Sequence, residues 1–273
     1  MKLTSTPHLR RHNVSVTGTG DRDLLLVHGY GCDQSMWQRL VPYLAPDYRV
    51  YLFDHVGTRA VGREGWDPEA YADLGRYAED VRDVVTDLDL RDVTLVGHSV
   101  SAMICGLAAA QLGDRVRGVV MIGPSPRYLN LDDGYAGGFS RADLDGLIAS
   151  IESNYFGWSQ AMAPAIMGRP DAPEYGGELT DAFCRQDPEV AAVFSRATFL
   201  SDNRADLDRI AAPSLVLQCS DDIIAPAAVG AYTAERLPHA TFHQLEARGH
   251  CPNVSAPEET AGAMNEWLGG LYG

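Results

Sequence analysis

Short apolar runs alternate with amphipathic segments in the first half of the chain. Residues 23–27, 48–53, 93–96 and 116–122 are short and rich in aliphatic or β-branched side chains, which is typical of buried strands. Residues 73–88 place apolar side chains at spacings of three and four, which predicts an amphipathic helix. This alternation predicts right-handed crossovers and a mostly parallel sheet with helices on both faces.

The pattern changes after Gly123, because several helical segments follow one another with no strand between them. These segments carry many aromatic and methionine side chains, more apolar mass than an exposed loop usually holds. Most of these side chains are expected to form the core of the insertion, and the remainder to line a pocket. The inserted helices are predicted at residues 140–155, 158–167, 178–185 and 188–200.

The strand pattern returns in the last third of the chain, so the helices interrupt one continuous core. We expect an α/β core of residues 1–130 and 201–273 and a helical lid of residues 131–200. The returning strands are predicted at residues 213–218 and 240–245, and the helices at residues 229–237 and 257–268.

Composition excludes several classes of partner. The chain has 273 residues and a formal net charge of −15, which disfavours binding to nucleic-acid phosphates and to anionic membranes. No apolar run approaches the roughly 18 to 20 residues that span a bilayer, and residues 1–16 lack the apolar core of a signal peptide. Five cysteines without a C-x-x-C pair argue against disulfides and zinc. We expect a cytoplasmic protein with free thiols and without a metal or cofactor.

Ser99 is the candidate nucleophile. Residues 97–101 read Gly-His-Ser-Val-Ser between a predicted strand and a predicted helix, close to the G-x-S-x-G nucleophile elbow of α/β-hydrolases. In that motif a strained turn holds the serine hydroxyl above the sheet. Ser101 stands where the pattern has its last glycine, and it is small enough to let the helix approach the strand.

A serine hydroxyl needs a histidine to accept its proton and a carboxylate to orient that histidine. Asp221 and Asp222 follow one predicted strand and His250 follows the next, which gives the expected order of serine, acid and histidine. Asp222 stands four residues before Pro226, a spacing common in related hydrolases. It is therefore chosen as the acid, whereas Asp221 is interpreted as a solvated loop residue or a helix cap.

Two backbone N–H groups are expected to stabilise the oxyanion of the tetrahedral intermediate. One belongs to Val100, the residue after the nucleophile, and the second to Tyr30, in the loop that His28 is expected to shape. His98 is expected to support the elbow. The remaining histidines are predicted at the surface or in loops: His8, His12, His55, His239 and His243.

Seven segments resemble the bacterial RsbQ-type hydrolases and the plant strigolactone and karrikin receptors that share their fold. The segments agree with that group in order and spacing and span nearly the whole chain. The resemblance implies an α/β-hydrolase fold with an inserted four-helix lid over a deep hydrophobic pocket, with Ser99 at its floor. The segments are residues 28–37, 97–104, 122–130, 137–139, 154–158, 195–202 and 249–257.

The resemblance also implies which side chains bind the substrate. The plant relatives favour phenylalanine at the positions of Tyr128 and Met162, so the identity of the ligand is not carried over. By position, the lining residues are Tyr30, Tyr128, Phe139, Trp158, Met162 and Phe199, with Val100 as a further candidate.

These observations predict a serine hydrolase that cleaves a small, largely apolar ester or lactone through an acyl-enzyme. The alternative, motivated by the resemblance, is a signalling module that binds or slowly hydrolyses a small molecule and regulates a partner protein. C–C bond hydrolysis and cofactor-free peroxidation on the same scaffold stay open. Dehalogenation is disfavoured, because dehalogenases carry aspartate where this chain has Ser99.

Overall fold

The computed structural model describes residues 1–132 and 134–273. In these residues a seven-stranded sheet has the order β1-β3-β2-β4-β5-β6-β7, and every neighbouring pair is parallel except β1 with β3. The predicted fold class is therefore confirmed. The strands are β1 Ser15–Thr17, β2 Arg22–Val27, β3 Tyr48–Phe53, β4 Val93–His98, β5 Val116–Ile122, β6 Ser214–Asp221 and β7 Ala240–Arg248.

Helices flank the sheet and cover its buried central strands. Every residue of β4 is buried, as expected for a central strand of a parallel sheet covered on both faces. The helices are α1 Pro7–Arg11, α2 Val41–Leu44, α3 Leu74–Asp87, α4 Val100–Leu112, α5 Arg141–Ser153, α6 Tyr155–Met167, α7 Pro173–Cys184, α8 Pro188–Phe199, α9 Ala227–Arg236, α10 Pro252–Ser255 and α11 Pro257–Tyr272. None in the described part of the chain is long and apolar enough to cross a bilayer.

Helices α5 to α8 follow one another between β5 and β6, as the sequence predicts. Side-chain caps begin three of them: Ser140 and Asp143 form a capping box at α5, Asn154 caps α6 and Asp187 caps α8. In the insertion, α6 packs on α7 and α5 packs on α8. Asp133, within the predicted lid range 131–200, lies outside the described residues.

Strand β4 and helix α4 approach each other unusually closely at the turn that joins them. A Cβ atom on Gly97 would lie 2.1 Å from the carbonyl oxygen of Ser101, so only glycine fits. The turn between them holds Ser99 at φ 58° and ψ −129°, a backbone conformation that costs energy for any residue with a side chain. This strained turn places Ser99 above the carboxyl end of the sheet.

Two of the histidines predicted at the surface or in loops, His12 and His55, do lie in loops but are buried, so a surface position is wrong for both. His12 is fully buried, stacks on Phe53 with ring centroids 4.6 Å apart, and places Nδ1 3.0 Å from the carbonyl oxygen of Asp54. Burial and the neighbouring His28 and His12 rings lower the pKa of His55 well below its usual value. One ring nitrogen of each has a hydrogen-bond partner: His12 Nδ1 lies against the Asp54 carbonyl oxygen, and His55 Nε2 lies 2.9 Å from Ser101 Oγ.

His98 is also buried and neutral. Its Nε2–H donates to the carbonyl oxygen of His250 at 2.7 Å. Burial, reinforced by the nearby His250 ring, lowers the pKa of His98 to about 3.

The free energy of unfolding should fall as pH decreases from about 6.5 towards 3, because the unfolded chain binds a proton at His98 there and the folded chain does not. This one group contributes a slope of up to about 1.4 kcal/mol per pH unit. His98→Gln should therefore show a shallower slope in urea unfolding between pH 7 and pH 4. An unchanged slope would contradict the assignment of His98 as a neutral buried group.

Gly97→Ala should lower the free energy of unfolding by about 3 kcal/mol, because the added methyl group overlaps the Ser101 carbonyl. Gly146→Ala in α5 is the matched control, since nothing lies within 4 Å of the position that its added methyl group would take, and alanine favours a helix interior by about 1 kcal/mol. Urea unfolding at pH 7 measures both. Equal effects of the two substitutions on the free energy of unfolding would show that the close approach of β4 to α4 does not cause the loss of stability in Gly97→Ala.

Candidate active site

Ser99, Asp222 and His250 come from the loops after β4, β6 and β7 and form one hydrogen-bonded chain. Asp222 Oδ2 lies 2.7 Å from His250 Nδ1, and His250 Nε2 lies 2.7 Å from Ser99 Oγ. With a proton on Nδ1, the neutral imidazole offers Nε2 as the acceptor for the serine hydroxyl. All three side chains are at least nine-tenths buried. The geometry allows proton transfer from Ser99 to His250.

Asp222 is held ionised within this chain. Burial opposes its ionisation, but attraction to His250 and hydrogen bonds from His250, Ala225 and Ile224 outweigh burial and lower the pKa of Asp222. Oδ1 accepts the Ile224 N–H at 2.8 Å and the Ala225 N–H at 3.0 Å, which leaves Oδ2 for the imidazole. The neighbouring Asp221 is exposed and pairs with Arg248 at 2.7 Å. Only Asp222 faces His250.

The loop that carries His250 is fixed to the end of α6. The His250 N–H donates to the carbonyl oxygen of Ile166 at 2.9 Å, and the Gly249 N–H donates to that of Asp221 at 2.7 Å. Gly249 has φ 82°, and a Cβ atom there would lie 1.8 Å from the carbonyl oxygen of Met167. The position of the imidazole therefore depends on the inserted helices as well as on the sheet.

A second serine–histidine pair lies next to the first but is built differently. Ser101 Oγ donates to the carbonyl oxygen of His28 at 2.5 Å and accepts from His55 Nε2 at 2.9 Å. Ser101 is fully buried, and His55 Nδ1 has no hydrogen-bond partner among the described residues, so no carboxylate orients that imidazole. Ser101 thus supports the loop after β2, a role beyond the small size that the sequence indicates.

The backbone N–H groups of Val100 and Tyr30 have no hydrogen-bond partner among the described residues. Val100 is the first residue of α4, where an N–H has no partner within the helix and the helix dipole favours negative charge. The Tyr30 N–H bonds to no group in the described residues. The Gly29 carbonyl belongs to the same peptide unit as the Tyr30 N–H and fixes its orientation. Its oxygen accepts hydrogen bonds from His28 Nδ1 at 2.9 Å and from the Cys32 N–H at 3.3 Å.

A narrow cavity opens above Ser99 and leaves about 50 Å³ for the centres of water-sized molecules. All six side chains predicted to line the pocket do line this cavity, whereas Val100 contributes no lining side chain. Nine further residues line the cavity without having been predicted from the sequence: Cys32, His98, Leu147, Ile166, Leu179, Phe183, Thr198, Ile224 and Cys251.

Helical spacing could have identified some of the missed residues. Ile166 follows Met162 by four positions, as Met162 follows Trp158, so the three share one face of α6. Leu179 and Phe183 have the same spacing on α7. A helix that places one residue in a pocket generally places its i+4 neighbour there too.

Polar atoms are few in the cavity, and some lack partners. Among the described residues, Tyr128 OH, Trp158 Nε1 and Thr198 Oγ1 are buried without a hydrogen-bond partner. Tyr128 lies close enough to Ser99 for their hydroxyl groups to interact, although they lack hydrogen-bond geometry. Burial raises the pKa of Tyr128, so its hydroxyl stays protonated and can donate. These groups can donate to an acceptor oxygen of a ligand.

Thiols and metal-binding side chains offer no further chemistry here. Burial raises the pKa of Cys32 and Cys251, which keeps both thiols protonated. In residues 1–132 and 134–273, no group of three or more His, Cys, Asp or Glu side chains has the arrangement of a metal site.

Comparison with known proteins gives the family. Residues 24–263 match the model of the alpha/beta hydrolase family. The strigolactone esterase D14 of Arabidopsis thaliana is 36% identical over 250 residues, which cover 91% of this chain and 93% of that protein. The karrikin insensitive 2 receptor IA of Petunia hybrida is 35% identical, with 90% of each chain covered.

A solved hydrolase from Oleispira antarctica superimposes with a TM-score of 0.93 at 38% identity, covering 96% of each chain. The similarity therefore extends over the inserted helices as well as the sheet. The chain belongs to the α/β hydrolase family and resembles members of it that are named strigolactone esterases and karrikin insensitive 2 receptors.

Proposed function

We propose that the protein is a serine hydrolase of the esterase or lactonase type. The observation that carries the proposal is the chain from Ser99 Oγ through His250 to Asp222, with 2.7 Å at each step, beneath a mostly apolar cavity. Relatives named esterases support the same class of reaction.

In the proposed reaction, Ser99 Oγ attacks the ester carbonyl carbon while His250 Nε2 accepts the hydroxyl proton. The carbonyl oxygen becomes an oxyanion that the N–H groups of Tyr30 and Val100 stabilise. His250 then protonates the departing alkoxide, which leaves an acyl group on Ser99. A water molecule, deprotonated by His250, attacks the acyl carbon, and return of the proton releases the acid and restores Ser99.

The cavity indicates a small substrate. It leaves only about 50 Å³ for the centres of water-sized molecules, and its walls are mainly aromatic and aliphatic. The unpartnered donors of Tyr128, Trp158 and Thr198 favour a substrate with at least one acceptor oxygen besides the scissile carbonyl. A short ester or a small lactone has this composition.

Residues 131–200 are proposed to act as a lid. Helices α5 to α8 all contribute cavity-lining side chains, so a substrate is enclosed between them and the sheet. Enclosure excludes bulk water from the oxyanion and strengthens its hydrogen bonds.

A second candidate is a small-molecule receptor that signals to a partner protein. The observation that favours it is that relatives matching 90% of this chain are named receptors. The small enclosed cavity suits both functions, and both can retain hydrolysis. Co-purification of the tagged protein from its own cells, with and without a synthetic butenolide lactone, tests this candidate. A partner whose recovery depends on the lactone supports it, and absence of a partner in both conditions contradicts it.

Ser99→Ala should lower kcat for p-nitrophenyl acetate by at least about 10³-fold, because it removes the attacking oxygen. Ser101→Ala is the control, since it removes the neighbouring serine hydroxyl but leaves the Ser99–His250–Asp222 chain intact, and its loss should stay below about tenfold. Stopped-flow release of p-nitrophenol measures both. Wild-type activity in Ser99→Ala, or a larger loss in Ser101→Ala, would contradict the assignment of the nucleophile.

Asp222→Asn should lower kcat by about 10⁴-fold, because an amide in this position favours the wrong imidazole tautomer. Asp221→Asn makes the same chemical change one residue away, on an exposed side chain paired with Arg248, and should stay within about twofold of the wild type. Steady-state kinetics at pH 8 with folded variants distinguishes them. Equal losses would overturn the choice of Asp222 as the acid.

A further inference from the structure

A second cleft lies behind the wall of the catalytic cavity, between α7, the end of α6 and the segment after β2. It is open to solvent and leaves about 360 Å³ for the centres of water-sized molecules, against about 50 Å³ in the catalytic cavity. The larger space therefore lies outside the site that carries the proposed chemistry.

Neighbouring residues of α6 and α7 line opposite sides of the wall between the two spaces. On α6, Ile166 lines the catalytic cavity and Met167 lines the cleft. On α7, Phe183 lines the catalytic cavity and Ala182 lines the cleft. Leu179 lines both spaces, and no other described residue does so. Leu179, which is 4% exposed, is therefore the point at which the cleft and the catalytic cavity share a lining residue.

We propose that the cleft is a distal subsite for the chain of an extended ester, and that Leu179 is the specificity-determining residue that closes it off from Ser99. The inference rests on the proposed function, because it concerns the length of substrate that the same site accepts. With Leu179 in place the cavity accepts short groups. Displacement or truncation of its side chain joins the two spaces and admits a longer chain.

The lining of the cleft indicates the chemistry of that chain. Its floor is apolar and suits methylene groups. At its rim Asp33 pairs with Arg185 and Glu178 pairs with Arg39, whereas Asp181 has no ion pair among the described residues. An extended chain with a neutral or cationic end therefore fits better than one that ends in a carboxylate. The floor contains Met36, Met167, Leu179 and Val254, and the charged rim contains Asp33, Glu178, Asp181 and Arg185.

The experiment compares p-nitrophenyl esters from acetate to octanoate, and alkyl acetates of the same lengths, with the wild type and Leu179→Ala. In one of the two series, Leu179→Ala should raise kcat/KM for the eight-carbon ester relative to the two-carbon ester by about tenfold or more. A single methylene group that binds in an apolar site contributes about this factor. An unchanged ratio in both series overturns the proposal.

Leu147→Ala is the matched control, because Leu147 lines the catalytic cavity but not the cleft. It should leave the ratio within about threefold of the wild type. The double variant Leu179→Ala/Ala182→Phe fills the cleft and should abolish the gain. If the gain persists in the double variant, or if Leu147→Ala gives the same gain, the chain does not enter the cleft. Leu179→Val replaces Leu179→Ala if the alanine variant does not fold.

Binding is measured separately from turnover. The same esters are titrated by calorimetry into Ser99→Ala and Ser99→Ala/Leu179→Ala. Binding of the eight-carbon ester that is about tenfold tighter in the double variant than in Ser99→Ala supports the distal subsite. If the wild type hydrolyses no ester, that result overturns the proposed function but not the subsite. Equal affinities in the two backgrounds overturn the subsite.

Discussion

The close approach of β4 to α4 is the constraint on which the site depends. Because Gly97 lies against the backbone of Ser101, the chain must reverse within one residue, and Ser99 takes up the strain at φ 58°. The same turn puts the Ser99 hydroxyl above the sheet and the free Val100 N–H beside it. Ser101 adds a hydrogen bond to His28, so the loop that carries Tyr30 is fixed from the same turn. The contact between Gly97 and Ser101 and the hydrogen bond from Ser101 to His28 therefore both stabilise the strained conformation of Ser99.

The inserted helices contribute to this arrangement as well as covering it. Ile166 accepts the His250 N–H, so the end of α6 fixes the imidazole. Tyr30 lies among aromatic rings of α6, α7 and α8, and its hydroxyl donates to the Ala191 carbonyl at 3.1 Å. A change in the position of these helices would thus alter both the proposed base and the proposed oxyanion site. The proposed hydrolysis and the proposed signalling would therefore depend on the same contacts.

Hydrophobic patterns predict those strands and helices whose pattern lies entirely within the element itself. Residues 48–53 and 116–122 form strands within the predicted bounds, because short apolar runs bury both faces. Strand β1 has three residues and no apolar run, and its partner β3 lies over 30 positions away, so nothing local indicates it. His55 escaped prediction as a buried residue because its partner, Ser101, is distant in sequence. The wall at Leu179 depends on how α7 packs, which periodicity alone does not give.

Of Ser99 and Ser101, only Ser99 has the geometry expected of a nucleophile, because its Oγ lies 2.7 Å from the Nε2 of an imidazole that a carboxylate orients. Labelling the folded protein with a fluorophosphonate, followed by mass spectrometry of the intact chain and its peptides, tests this most directly, since the reagent bonds to activated serine oxygens. We expect one phosphonyl group per chain, attached to Ser99, and none after Asp222→Asn over the same time. Attachment to Ser101, or an unlabelled wild type, would contradict it.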